Sequence, residues 1–427
     1  MGMLLVIGCS SSSDTEPTAT ASPEPTATAE STKQTVDELL ASIETAIEEL
    51  RGIESPPPVE HMFVDQSGMQ DRIAEEFADP ETISQIKHES ALLKLLGVIP
   101  QDADLTVIYE DMLGSQVLGL YDPEKEQFFV LGDDQSGADS IDTEAQLTYA
   151  HEYVHRLQDA KFDLEVIEEL ATGDDMSIAI SALIEGDATS VQTGYMLKNF
   201  DFLELSELLE QVLAAQEEVP ESPYFLQRSL EFPYDEGATF VGVLNQMGGS
   251  AAVDAVFIDL PRSTEQILHP EKYFDKEAPV ELDIPDDAMG DGWSVQAENV
   301  LGEFFLRTWL EALGSDNADA AAAGWGGDSY AVFENDSGEF ALGVFIVWDE
   351  DADALEFFDI TAGALDSNEN FNGSNIGLAH SFQSWNGPAG FVMLSRQVSE
   401  ANGEVIFMAI ASDLEAAASL IRATAGG

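Results

Sequence analysis

The sequence predicts an α+β protein with a helical centre and a β-rich end. Three observations carry this. Apolar residues recur at spacings of three and four through long stretches of the first two-thirds of the chain. Two short β-rich runs interrupt that pattern just before residue 143. Beyond about residue 320 the helical pattern gives way to runs such as "EFALGVFIVWDED" and "EVIFMAIAS", which read as strands.

Taken in order, "VDELLASIETAIEELRGI" predicts an amphipathic helix ending near Gly52, where "SPPPVE" breaks it. A second helical stretch runs from Met69 to Leu96 and stops at Gly97 and Pro100. "DLTVIYEDM" reads as a short strand. "SQVLGLYD" and "EQFFVLGD" flank "PEKE" and predict a hairpin turning around Pro123. A helix over Thr143–Ala160 follows, then a second within "DMSIAISALIEGDATSVQTGYMLKNF". More helix is expected at Leu205–Gln216 and Glu236–Gln246. Near the end, "GWGGDSYAVFEND" and "AGFVMLSRQV" add strands, with helical runs at Val295–Leu313 and Asp413–Ala425. No solenoid-type repeat is present.

The bulk properties bound the function. With 44% hydrophobic residues in 427, the chain can build a proper core. It carries 82 acidic against 16 basic residues, a formal net charge of -66, spread along its whole length. Such a surface repels nucleic acid and anionic lipid headgroups, so neither is an expected partner. The pattern suits a salt-adapted protein or an acidic secreted one.

The single cysteine, Cys9, excludes an intrachain disulfide. It ends the run Val-Ile-Gly-Cys after a short apolar stretch, and a Ser/Thr/Pro/Ala-rich segment follows. Val6 to Cys9 resembles a bacterial lipobox, which implies lipidation at Cys9, a tether over residues 10–32 and a place on the outer face of the cell envelope. No Lys or Arg precedes the apolar run, and the run is short; a start further upstream would account for both. The expected organisation is a signal-like segment (1–9), the tether (10–32), a main domain (33–290) and a C-terminal α+β part (291–427) that is either separate from the main domain or continuous with it.

The chemistry sits in "LTYAHEYVHRLQDAKFDL". His151-Glu152-Tyr153-Val154-His155 is an H-E-x-x-H motif. Residues four apart on a helix share a face, so both imidazoles can reach one metal ion, with Glu152 beside them. With six histidines in the chain, composition alone gives such a match in roughly one chain in a hundred. A catalytic zinc takes three protein ligands and leaves one place for water. The residues after His155 contain no third histidine, which removes the metzincin pattern. "SALIEGDATSV" supplies Glu185, an acid in a helix of small apolar residues where an unpartnered charge is costly. Asp187 competes with Glu185 as ligand, or orients a ligating histidine from outside the metal's own shell.

With these residues in view, the chain resembles a gluzincin-type zinc metallopeptidase, and more narrowly uncharacterised secreted or lipoprotein members from bacteria and archaea. The resemblance rests on "AHEYVHRLQDAKFDL", "ALIEGDAT", "FPYDEGATFV", "PRSTEQILHPEKYF" and "GWGGDSY", across about residues 145 to 330. It implies a zincin-like fold, Zn2+ held by His151, His155 and Glu185, and Glu152 as general base acting on peptide or protein substrates. It also implies that the strand before the metal helix, Glu126–Gly132, pairs with extended substrate. In gluzincins a helper aspartate follows the glutamate by a full turn; here that place is Thr189. Tyr234 and His269 are candidate donors to an oxyanion, and each also reads as a packing or turn residue. Two other readings stay open at this point: a zinc-containing envelope binding or sensor module, and a zinc hydrolase of a non-peptide bond. His61, His88 and His380 read as surface or structural residues.

Overall fold

The computed structural model describes residues 4–7, 35–54, 56–57, 60–122, 127–131, 141–216, 222–373 and 381–424. Cys9, the tether, the turn around Pro123 and His380 lie outside them.

The first half builds a small sheet against a helical layer. The elements are β1 (Leu4–Ile7), α1 (Val36–Arg51), β2 (Glu60–Val64), α2 (Gln66–Phe77), α3 (Pro80–Leu95), α4 (Leu105–Gln116), β3 (Val117–Asp122), β4 (Gln127–Leu131) and α5 (Thr143–Phe162). The sheet order is β1-β3-β4-β2, with β3 and β4 forming the expected antiparallel hairpin and β2 parallel to β4. The central helices follow: α6 (Leu164–Glu169), α7 (Asp174–Asn199), α8 (Phe202–Gln216), α9 (Tyr224–Gly248), α10 (Ser250–Ile258), α11 (Thr264–Leu268) and α12 (Pro270–Asp275). Among the described residues no single helix is long and apolar enough to cross a membrane.

The C-terminal part comprises β5 (Trp293–Asn299), α13 (Gly302–Ala312), α14 (Ala318–Ala322), β6 (Trp325–Asn335), β7 (Phe340–Trp348), α15 (Asp351–Ser367), β8 (Asn372–Gly373), β9 (Phe382–Gly387), β10 (Gly390–Ser399), β11 (Gly403–Ala411) and α16 (Leu414–Thr424). Its seven strands form one antiparallel sheet in the order β5-β6-β7-β11-β10-β9-β8. The near-continuous apolar run of β11 has a simple cause. Ile406, Met408 and Ile410 pack with Phe357 and Leu365 of α15, while Val405, Phe407 and Ala409 pack with Leu420 and Ile421 of α16. Both faces of the strand are buried, so the polar half of the usual alternation is lost.

Four expectations are corrected. "DLTVIYEDM" is helical: Asp104 caps α4 by accepting from the Thr106 amide at 3.1 Å. Leu105, Ile108, Tyr109, Met112 and Leu113 join one core at helical spacing, which overrides the β-branched run. The stretch Met69–Leu96 is two helices, because Asp79 caps a new one at Pro80 and accepts from Thr82. The helix expected at Glu236–Gln246 runs through Pro233, its buried face from Phe232 to Leu244 outweighing the lost hydrogen bond. Val295–Leu313 is a strand and then a helix, broken at Gly302, whose φ of 83° suits a residue without Cβ. A further helix, α15, sits where the sequence reading placed none.

Carboxyls tie neighbouring elements together, Asp328 and Asp175 from buried positions, and Asp174 joins the helical centre to the C-terminal part. Asp328 on β6 accepts from the amides of Leu301 and Gly302 at 2.8 and 2.9 Å, and from Trp325 Nε1 at 2.9 Å. Asp175, in the first turn of α7, accepts from the backbone and hydroxyl of Thr264. Glu89 of α3 accepts from Tyr109, and Asp174 from Tyr330. Burial pushes Asp328 up to about 6 against its three donors, and Glu89 up to about 7 against its Tyr109 bond. Asp175 is also raised well above its ordinary value, again by burial.

These carboxyls are free to ionise near their ordinary values, about 4, in the unfolded chain. The native state therefore binds more protons, and their contribution to stability is full below about pH 4 and lost as pH rises through about 6 to 7. Thermal unfolding in high salt, which screens the surface charge, is predicted to give a higher midpoint at pH 5.5 than at pH 8. An equal or lower midpoint at pH 5.5 would contradict this.

Candidate metal centre

Helix α5 begins at the cap predicted for it, with Asp142 accepting from the Ala145 amide at 2.9 Å. From Leu147 to Gln158 every residue of α5 is buried. Helix α1 covers one side through a reciprocal i,i+4 pairing: Tyr149 donates to Glu44 at 2.6 Å and Tyr153 to Glu48 at 2.8 Å. Strand β3 covers another side. A Cβ on Gly119 would lie 2.5 Å from Thr148 Cγ2 and 3.3 Å from Glu152 Oε1, so a glycine is needed where the strand crosses the motif.

Helix α7 supplies the third group. His151 Nε2 lies 3.0 Å from Glu185 Oε2, and His155 Nε2 lies 3.3 Å from the same oxygen. One nitrogen from each ring and one carboxylate oxygen thus fall within 4.8 Å of one another, and all three residues are buried. The backbones approach closely because α7 and α9 cross at paired glycines. A Cβ on Gly186 would collide with the backbone of Gly237, and one on Gly237 with the Ala182 carbonyl. The same crossing carries Tyr234 to the group, its ring centre 6.1 Å from that of His151.

The electrostatics are those of a charge set held away from water. Burial would raise the Glu185 carboxyl, yet His155 and His151 hold it down at about 2. Burial likewise opposes the charge on His155, yet Glu185 lifts it to about 9. His151 is lowered, chiefly by burial. Glu152 is pushed up to about 8 by burial, with the His155 charge opposing and the Glu185 charge adding. Four buried side-chain atoms here lack a well-formed hydrogen bond: His151 Nδ1, with Gln192 nearby, His155 Nε2, whose contact with Glu185 is long, and both oxygens of Glu152, near the Tyr121 backbone. Orphaned donors and acceptors in this number are costly unless something else engages them. Two imidazoles and one carboxylate are a donor set that fits Zn2+, so the residues present suit the ion.

Asp187 is not in this trio. It accepts from Arg51 Nε at 2.7 Å and from Gln158 Nε2 at 2.9 Å. His269 is not brought to it either: its Nε2 lies 2.8 Å from Glu303 Oε1 on α13, and Glu303 is what raises its pKa. The strand expected to pair with substrate is corrected as well. Both edges of β4 are taken by β3 and β2, and β3 is the strand against Glu152. A second group of three carboxylates, Glu265, Glu277 and Asp349, already shares a cation, the Lys272 ammonium.

Two residues around the centre escaped the sequence reading, Gln158 and Arg51. Gln158 was detectable, since it follows His155 by three and so shares its helix face. Arg51 carried no local signal.

Gly237→Ala is predicted to force α7 and α9 apart, destabilising the protein by about 1–3 kcal/mol and weakening metal binding. Denaturant unfolding with zinc titration checks both. A variant as stable as the parent with unchanged affinity would contradict the close crossing.

Residues 292–418, within the C-terminal part, match a family described as "Domain of unknown function (DUF8575)". No curated protein matches the chain. No solved structure matches it.

Proposed function

We propose that the protein is a zinc metallopeptidase of gluzincin type, with a zincin-like arrangement of β3, α5 and α7. The observation that supports this best is the buried convergence of His151, His155 and Glu185, with the buried carboxyl of Glu152 beside it. The three ligands leave one coordination place open, which a purely structural zinc site does not.

A zinc ion held there supplies a bound water of lowered pKa and polarises a carbonyl. Glu152 would be the residue that takes up a proton on its carboxylate and hands it to the leaving nitrogen of the peptide. Its raised pKa suits the second half of that task, because a carboxyl shielded from solvent keeps a proton until an amine accepts it. A cation held by His151, His155 and Glu185 would lower that value, leaving Glu152 in the base form for the first half. Tyr234, against the His151 ring, is our candidate donor to the developing oxyanion. His269, paired with Glu303, is left out of that role. In this reading the acidic surface turns away nucleic acid and the substrate is a peptide or protein. The Val-Ile-Gly-Cys run assigns the enzyme to the outer face of the envelope, held by lipid on Cys9.

The test is zinc content and casein cleavage in high salt, with parent, His155→Ala and Glu152→Ala compared. Expected are one zinc per chain in the parent and in Glu152→Ala, loss of zinc in His155→Ala, and loss of cleavage in both variants by at least about a hundredfold. Zinc without cleavage of any peptide would favour a binding module, and no zinc would overturn the reading.

A further inference from the structure

His155 presents Nε2 to the centre, 3.3 Å from Glu185 Oε2, so what matters next is what holds the opposite ring nitrogen. His155 Nδ1 lies 2.9 Å from Gln158 Oε1. An amide can be placed either way round, and its orientation decides which tautomer the histidine adopts. Here the surroundings choose. The other end of the Gln158 amide lies 2.9 Å from the Ile184 carbonyl and 2.9 Å from Asp187 Oδ2. Both of these accept and neither donates, so that end must be the NH2. Oε1 therefore faces His155, Nδ1 must carry a hydrogen, and Nε2 is the nitrogen left to bind a metal.

Asp187 is fixed in turn. It accepts from Arg51 Nε at 2.7 Å, and Arg51, at the last turn of α1, is 1% exposed. Arg51 also reaches Asp254 on α10, its Nη1 2.9 Å from Asp254 Oδ1. Burying one of only 16 basic residues so completely is expensive unless its charge has a task. One of its two partners, Asp187, is the carboxylate that helps set the orientation of Gln158.

We propose that Gln158 is a positioning residue for the zinc centre, fixing the Nδ1–H tautomer of His155, with Asp187 and Arg51 holding the amide in the required sense. This rests on the zinc reading above and deepens it: the relay runs from α1 through α7 to α5, so the N-terminal helix takes part in tuning the metal site. Asp187 thereby has a role through Gln158, without touching the metal or a histidine.

The experiment uses the full chain with zinc and, separately, cobalt(II) as the probe. Affinity is read by competition with a chelator, and the visible spectrum of the cobalt form reports the geometry at the metal. Gln158→Leu leaves Nδ1–H unpaired and is expected to weaken zinc binding about 10–100-fold and to shift the cobalt bands. Gln158→Glu sets two carboxylates against each other and is expected to weaken binding similarly. Adding Asp187→Asn to Gln158→Glu reverses the polarity of the pair, giving an amide donor to a carboxylate acceptor, and is expected to recover most of the loss. A residue that merely fills space would show no such recovery. If Gln158→Leu does not fold, the comparison of Gln158→Glu with the double variant carries the test alone. Affinities within about twofold of the parent in Gln158→Leu, or no recovery in the double variant, would overturn the relay. His155→Ala separates the two levels. If it abolishes binding while the Gln158 variants bind normally, the relay alone fails; if it binds as the parent does, both fail.

Discussion

The constraint that organises this molecule is the burial of four ionisable side chains, His151, Glu152, His155 and Glu185, at one point between helices. Charges taken out of water are tolerated where partners and hydrogen bonds compensate them, and here the compensation among the protein's own atoms is incomplete. In the metal reading proposed above, a divalent cation would complete it. Among the protein's own groups, the Glu185 carboxylate is shared by two imidazoles, and burial pushes the neighbouring Glu152 carboxyl up to about 8.

Much of the architecture serves to keep α7 in place while it delivers Glu185. At its first turn, Asp174 and Asp175 are bonded to Tyr330 of β6 and to Thr264. At its middle, Gly186 lets α9 come into backbone contact and bring Tyr234 along. One residue later, Asp187 ties α7 to α1 through Arg51 and to α5 through Gln158. The C-terminal sheet thus acts on the centre at a distance, by fixing the start of the helix on which the third candidate ligand stands. The "GWGGDSY" stretch belongs to this fixing: Trp325 is fully buried and bonded to Asp328, and a Cβ on Gly327 would collide with Val280.

The convergence of His151, His155 and Glu185 was legible in sequence because H-E-x-x-H encodes its own geometry on a helix and because Glu185 stands out in an apolar setting. The hairpin, the helical centre and the β-rich end were legible from period and turn residues. What could not be read were features set by other elements. The "TVIY" run in α4 favours a strand locally, and its helix exists because five side chains meet a core assembled from distant helices and strands. His269 read as a candidate donor or a turn residue, and its partner Glu303 lies 34 residues away, so no local pattern announces the pair. Arg51 and Asp187 are 136 residues apart. The strand expected to pair with substrate, β4, is covered on both edges by β3 and β2, and the pairing with the distant β2 is one that no local pattern shows.

The account stands on one claim, that His151, His155 and Glu185 hold a single metal ion. The most direct measurement is zinc K-edge X-ray absorption on the zinc-loaded protein. Four nitrogen or oxygen ligands at about 2.0–2.1 Å, with the outer-shell scattering of two imidazole rings, are the predicted result. A shell of oxygens without imidazole scattering would place the metal elsewhere and contradict the account.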